Sequence, residues 1–472
     1  MLTRREVLRA LSLSAGALAI PGAAGCGAHG QRVVASQRRP EDVHAQLAEL
    51  VTTLSRHGHA SARMIVRRGS IATVDIGEQA VSGHDDAGVV LAIADGHRLR
   101  EAATSDISAD GLAALARSLV TGPSPAPATA PARAPRSFTL PAQDVSHEPK
   151  NWLARAAELA RRAASAGDSR IIYWRARAGF VDTDTFHVDP RVQLRQRIVR
   201  SAAEASLLAW SGRWAAAESA QHGTTAGLAA TTLPASAIAG AAERVLGLVY
   251  GRPPPAGMHA VILAPQVAAT LLLSCVAPAL RANFLAAEAA PRVGQKFGSD
   301  KVTIGDDPTL AGGFGSYAFD DTGHMARKTQ LIEDGVVTAL LGDGHRRRPA
   351  PMAAAAIAPS NLLWAPGTLS PSQVIAAVDA GIVVSGTAGA WLDPATGRVT
   401  LRASLGHRIV SGRLSGEVYR DLTLTGHLRA ILGQVTAVST APAPGTARLS
   451  ITDRVPAATA IAPHVATRME VL

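Results

Sequence analysis

Apolar residues recur at helical spacing through positions 41–58, at Val43, Leu47, Leu50, Val51 and Leu54, which predicts an amphipathic helix ended by Gly58. Looser alternation of β-branched residues over 63–76 and 88–94 predicts strands, with Asp95-Gly96 as a hairpin-type turn. A second helix is expected over 108–120, with Asp106 and Ser108 as capping candidates, and an alanine-rich one over 152–166. Strands follow over 170–178 and 192–210. Beyond a run of three prolines, Pro253-Pro254-Pro255, the pattern resumes with a strand at 259–264 and a long apolar helix over 265–287. Strands are then expected at 302–304, 315–319, 330–332 and 336–341, and a helix opened by Ser370-Pro371 over 370–380. Further strands fall at 382–387, 399–405, 408–410, 419–424 and 448–451.

Helices and antiparallel hairpins mixed in this way predict an α+β fold, with mixed and antiparallel sheets packed by helices, rather than a doubly wound sheet. Three consecutive prolines continue neither a helix nor a central strand. They divide the chain into an N-terminal domain over 30–250, containing a proline-rich connection at 122–136, and a C-terminal domain over 258–472.

Composition narrows the class. Hydrophobic residues make up 47% of 472 residues and charged residues only 18%, so the chain buries a large core of small aliphatic side chains. The formal charge is +10, and only four of the basic residues are lysine: Lys150, Lys296, Lys301 and Lys328. The arginines are spread along the chain with one run, His345-Arg346-Arg347-Arg348, and no aromatic residue interleaves with that run, so a solvated basic surface is expected and no nucleic-acid partner. Residues 1–26 have the layout of an export signal: the pair Arg4-Arg5, an uncharged apolar stretch from Ala10 to Ile20, then small residues before Cys26. The arginine pair resembles a twin-arginine signal. Cys26 after Ala23-Ala24-Gly25 resembles a lipoprotein cleavage box, with Cys26 the lipidated residue. The expected location is therefore the periplasm or cell envelope, with a membrane anchor through lipid on Cys26. Cys275, in an apolar run, is expected to be buried and inert.

General catalytic motifs are missing. There is no phosphate-binding G-x-x-x-x-G-K-[ST] loop, no G-x-S-x-G elbow and no C-x-x-C pair. The acid pairs Asp306-Asp307 and Asp320-Asp321 stand beside Pro308, Gly312, Gly313 and Gly323, where they read as turn caps.

One long segment carries a more specific signal. Val302-Thr303-Ile304-Gly305-Asp306-Asp307-Pro308, followed by Gly312-Gly313-Phe314-Gly315-Ser316-Tyr317 and Asp320-Asp321-Thr322-Gly323, resembles the signature of the TldD/PmbA peptidase family. Glu333-Asp334-Gly335, Ser360-Asn361-Leu362 and Asp393-Pro394 continue the resemblance in order. It implies two subunit types. One is a zinc peptidase with an HExxxH helix and a later cysteine ligand, whose glutamate activates a metal-bound water. The other lacks those ligands and pairs with the first around a cleft for unfolded peptides. The resemblance makes Gly312, Gly313, Gly315, Ser316 and Asn361 peptide-cleft candidates.

Along the helix that should carry HExxxH, Leu273 stands at the first histidine, Ser274 at the glutamate and Pro278 at the second histidine. A shift by one residue puts Ser274, Cys275 and Ala279 there instead. Neither register offers two imidazoles or a carboxylate, and no cysteine follows Cys275. No catalytic residue, metal ligand or cofactor is therefore expected in this chain, although zinc belongs to a catalytic member. Pro278 is expected to keep the bend that ligands five residues apart require. The expected role is a non-catalytic subunit of a TldD/TldE-type peptidase, partnered by a paralogue that carries HExxxH and by unfolded peptide. The alternatives are an active metallopeptidase with atypical ligands, such as His259, His324 or His464, and an envelope scaffold or peptide-binding lipoprotein without proteolysis.

Overall fold

A computed structural model describes residues 40–95, 98–120, 135–140, 146–165, 168–212, 214–281, 290–341, 358–387, 389–448 and 457–472. The export signal with Cys26, and all but the last two residues of the proline-rich connection, lie outside the described residues. The N-terminal half runs α1 (Pro40–Leu54), β1 (His59–Asp75), β2 (Gln79–Asp95), β3 (Arg98–Thr104), α2 (Ala109–Leu119), β4 (Arg136–Thr139), α3 (Pro149–Ala164), β5 (Ile171–Val188), β6 (Gln193–Trp210), β7 (Ala215–Thr224) and α4 (Ala235–Tyr250). Its strands form one sheet in the order β3-β2-β1-β5-β6-β4, with β7 also on β6. The long strands pair antiparallel and β4 joins β6 in parallel.

Strand periodicity sorts the two faces of this sheet. Ala60, Ala62, Met64, Ala72 and Val74 of β1 face the helices, whereas Ile71 faces the other way. Helices α1 and α2 cover one end through Leu47, Val51 and Leu112. Helices α3 and α4 cover the other through Trp152, Leu159 and Val245. Ser108 caps α2 by accepting a hydrogen bond from Gly111 N.

The C-terminal half holds β8 (Gly257–Leu263), α5 (Pro265–Leu271), β9 (Ile304–Asp306), β10 (Thr329–Glu333), β11 (Val336–Val337), β12 (Asn361–Trp364), α6 (Pro371–Ala376), β13 (Ala380–Ser385), β14 (Gly389–Leu392), β15 (Arg398–Val410), β16 (Arg413–His427), α7 (Leu428–Gly433), β17 (Ala437–Val438), β18 (Ala443–Arg448), β19 (Ala458–Ala462) and β20 (Val465–Val471). One sheet has the order β11-β10-β9-β12-β19-β18. In the other, β13-β8-β20-β16-β15-β14, the strand β13 also pairs with β15, closing five strands into a ring. Helix α5 is buried in the core between these sheets. At the proline run, Arg252 pairs by backbone with Val418 and Arg420, which fastens the end of α4 to β16.

The architecture is α+β with mixed and antiparallel sheets and packed helices, as the pattern predicts. Several elements differ, among them β7, β14, β19 and β20, which the apolar pattern does not predict. Helix α4 is absent from the sequence expectation, because its Ala-Gly-rich run has little polar contrast to mark a face. Residues 315–319 form a loop instead of a strand, since their backbone groups bond to side chains rather than to a neighbouring strand. The long helix expected over 265–287 is α-helical only to Leu271, turns π-helical over Leu272–Val276 and ends at Ala279; residues 282–289 lie outside the described set. Of the expected last strand, β18 ends at Arg448 and the remainder is not described.

Candidate functional site

The π-helical turn is closed by the hydrogen bond from Ala277 N to the carbonyl of Leu272, five residues earlier. Such a turn brings residues five apart toward one face, the geometry that an HExxxH triplet needs. Here the positions are Leu273, Ser274 and Pro278, of which Leu273 is buried and the other two are half-buried. Pro278 has no N–H to donate to the carbonyl of Ser274, four residues earlier and inside the π-helical turn, so its place fits the departure from α geometry there. The triplet presents two hydrocarbon surfaces and one neutral hydroxyl. These residues do not fit a zinc ion, which needs imidazole, thiolate or carboxylate donors.

The neighbouring candidates do not repair this deficit. Cys275 is fully buried, and burial pushes its thiol up to about 12, so it stays protonated and inert. His259 stands at the start of β8, its Nε2 3.0 Å from the carbonyl of Pro255. His464 lies beyond the far end of β8, just before Val465, which pairs with Leu263. His324 belongs to the loop after β9, with Nδ1 3.0 Å from Thr322 Oγ1. Among the described residues no group of three His, Cys, Asp or Glu side chains could hold a metal ion, and no helix is long and apolar enough to cross a membrane.

The signature segment 304–324 has a different structural role. It leaves β9 and packs between the two halves of the chain. Asn361, fully buried on β12, organises it. Its Oδ1 accepts from Gly315 N at 3.0 Å and from Thr459 Oγ1 at 2.9 Å. Its Nδ2 donates to the carbonyl of Asp307 at 2.7 Å and to Ser316 Oγ at 2.9 Å. The Ser316 hydroxyl in turn donates to the carbonyl of Leu310. Every donor and acceptor site of the Asn361 amide is thereby used. Gly313 and Gly315 allow this approach: a Cβ on Gly315 would stand 2.2 Å from Ser360 O, and one on Gly313 would stand 2.8 Å from the Asn361 amide. Gly312, half-buried with φ +71°, turns its carbonyl toward Thr225 N and Thr224 Oγ1 of the N-terminal half. The five peptide-cleft candidates therefore lie together in one network at this joint, four of them buried.

The other side of the joint was not legible in the sequence. On the sheet face turned away from the helices, Gln196 accepts from Ala318 N and Phe319 N and donates to Phe319 O. Arg200 donates through Nε to Phe314 O at 2.8 Å and through Nη2 to Ser316 O at 2.9 Å. Phe314 packs on Ile71, Val181 and Ala202 of the same face. Arg63 pairs with Asp321, and the buried ring of His187 packs against Gly323. A polar residue at an even position of β6 looks like any solvent-facing strand residue until the partner loop is in place.

The two acid pairs separate in environment. Asp307 caps its turn by accepting from Thr309 N. Asp306 is buried, and burial raises its pKa to about 6 even though its Oδ1 accepts from both Ser360 N and Ser360 Oγ. A carboxyl whose pKa rises on folding stabilises the fold below the unfolded value near 4, and that contribution is lost as pH climbs through about 6. Asp306→Asn keeps the acceptor and removes the charge. It is expected to raise stability at pH 8 by on the order of 2 kcal/mol and to make no difference near pH 4, as read by urea unfolding at both pH values.

Residues 256–469 match the model of the PmbA/TldA metallopeptidase C-terminal domain. A metalloprotease of Methanothermobacter thermautotrophicus is 30% identical over 210 residues, 42% of this chain and 46% of its own length. One of Methanocaldococcus jannaschii is 30% identical over 216 residues, 42% of this chain and 47% of its own. The chain thus spans about half the length of the relatives it matches. Similarity of fold extends further. The crystal structure of TldE from Thermococcus kodakarensis superposes with a TM-score of 0.69 at 17% identity, covering 90% of this chain and 99% of that one. A structure from Bacteroides thetaiotaomicron, described as a candidate modulator of DNA gyrase, gives 0.71 at 17% identity, covering 92% and 99%. At that identity the likeness establishes the fold alone.

Proposed function

We propose that this chain belongs to the PmbA/TldD family and is the non-catalytic subunit of a two-component peptidase, a reading supported by the C-terminal domain match, the metalloprotease relatives and the TldE-like fold. One observation carries the reading. The π-helical turn that would gather the ligands is present, while Leu273, Ser274 and Pro278 supply none. In this role the chain binds no zinc and activates no water. It contributes a rigid wall, set by the joint around Asn361, to a cleft shared with a paralogue that carries HExxxH. An unfolded peptide is the substrate of the pair, and exposed strand edges can take up an extended chain by strand addition. The chain is exported to the cell envelope and anchored through Cys26.

Co-purification with the HExxxH paralogue tests this role. The expected result is a complex that cleaves unfolded casein, is stopped by a chelator, and holds zinc only in proportion to the paralogue. Failure to associate with any such paralogue, with peptide still bound, returns the scaffold reading instead.

A further inference from the structure

A band of exposed aromatic and guanidinium groups runs along one flank of the molecule, away from the joint. Trp214, at the start of β7, is 55% exposed, and the guanidinium of Arg420 on β16 lies 4.6 Å from its ring centre. Arg420 packs against Gly251, and Tyr250 beside it, also 55% exposed, carries Arg170 at 4.9 Å over its ring. The band continues through Arg252, stacked on Tyr419, into an open groove of about 850 Å³. Pro253–Pro255 form one wall of the groove and the ends of β13 and β15 the other, with Met258 58% and Val410 44% exposed within it.

Monomer surfaces seldom gather tryptophan, tyrosine, methionine and arginine in one contiguous strip, and that composition is typical of the residues that dominate protein interfaces. The charges in the strip say what it would accept. Glu417 is shared by Arg252 and Arg408. Arg420 and Arg468 form no ion pair among the described residues; Arg468 is an exposed lining residue of the groove and so is Asp379, so that Arg252, Arg408 and Arg468 stand against the two carboxylates of Asp379 and Glu417 and the groove keeps a positive excess. The three prolines hold their wall extended, so the groove offers a pre-formed trough rather than one that must order on binding.

We propose that this band docks an extended segment of a partner protein in which Asp or Glu residues alternate with apolar ones. The carboxylates pair with Arg468 and Arg420, and the apolar residues lie on Trp214 and Met258. This surface is separate from the peptidase reading, because its occupant is recognised by charge and need not be cleaved.

The test uses the full chain and a fluorescein-labelled peptide of Glu-Glu-Leu-Pro repeats, with its Gln-for-Glu counterpart and phosphatidylglycerol vesicles as competitors. The acidic peptide is expected to bind, to weaken steeply with salt, and to lose about tenfold in affinity in Arg468→Glu, Arg420→Glu and Trp214→Ala. These are surface positions, and an unchanged thermal midpoint shows that the variants fold. Absence of binding by the acidic peptide, equal binding of the glutamine peptide, or variants indistinguishable from the parent each overturn the proposal. Displacement of the acidic peptide by the vesicles also overturns it, in favour of a membrane-facing role.

Discussion

Asn361→Ala is expected to destabilise the chain by about 4 kcal/mol, because four partners lose their bond to the amide at once. Gly315 N, Thr459 Oγ1, the Asp307 carbonyl and the Ser316 hydroxyl all lose their bond to one amide. Asn361→Asp separates chemistry from size. It keeps the acceptor oxygen but turns a second oxygen toward the Asp307 carbonyl and toward a hydroxyl already committed to Leu310. Urea unfolding at pH 7 should therefore find the aspartate variant no more stable than the alanine variant. An aspartate variant within about 1 kcal/mol of the parent would show that the amide donors carry little weight.

The second large effect lies across the joint. Gln196→Leu removes three hydrogen bonds to the backbone of Ala318 and Phe319 and buries an apolar group against their polar atoms. The expected cost is about 3 kcal/mol. Its signature is distinctive, because Gln196 belongs to β6 whereas its partners belong to the C-terminal half. Hydrogen exchange should speed up at residues 312–324 while the core strands β15 and β16 keep their protection. A uniform loss of protection through both halves would contradict a local joint.

Much of this architecture is legible in the sequence for identifiable reasons. Helices α1, α2 and α3 carry clear apolar stripes on polar backgrounds, and the long strand β1 is rich in β-branched residues that suit a pleated surface. Helix α4 escapes because alanine and glycine dominate both its faces. The signature loop shows the limit most clearly. Its glycines and Asn361 stand out in the sequence, yet nothing in their order says that they bond to one another, or that Gln196 and Arg200, more than 100 positions earlier, receive the loop. Side chains that act on distant backbone leave no periodic trace. The missing ligands at Leu273, Ser274 and Pro278 are plain in the sequence, whereas the π-helical turn that presents these positions is visible only in three dimensions. A one-residue change in helical pitch has no compositional signal.

The central claim is that this chain does no metal chemistry of its own. The most direct measurement is the zinc content of the full-length protein purified alone after saturation with the metal and exhaustive washing, alongside its cleavage of unfolded casein with and without chelator. The account predicts zinc far below one equivalent and no chelator-sensitive cleavage. One tightly held equivalent, accompanied by cleavage that the chelator stops, would contradict it.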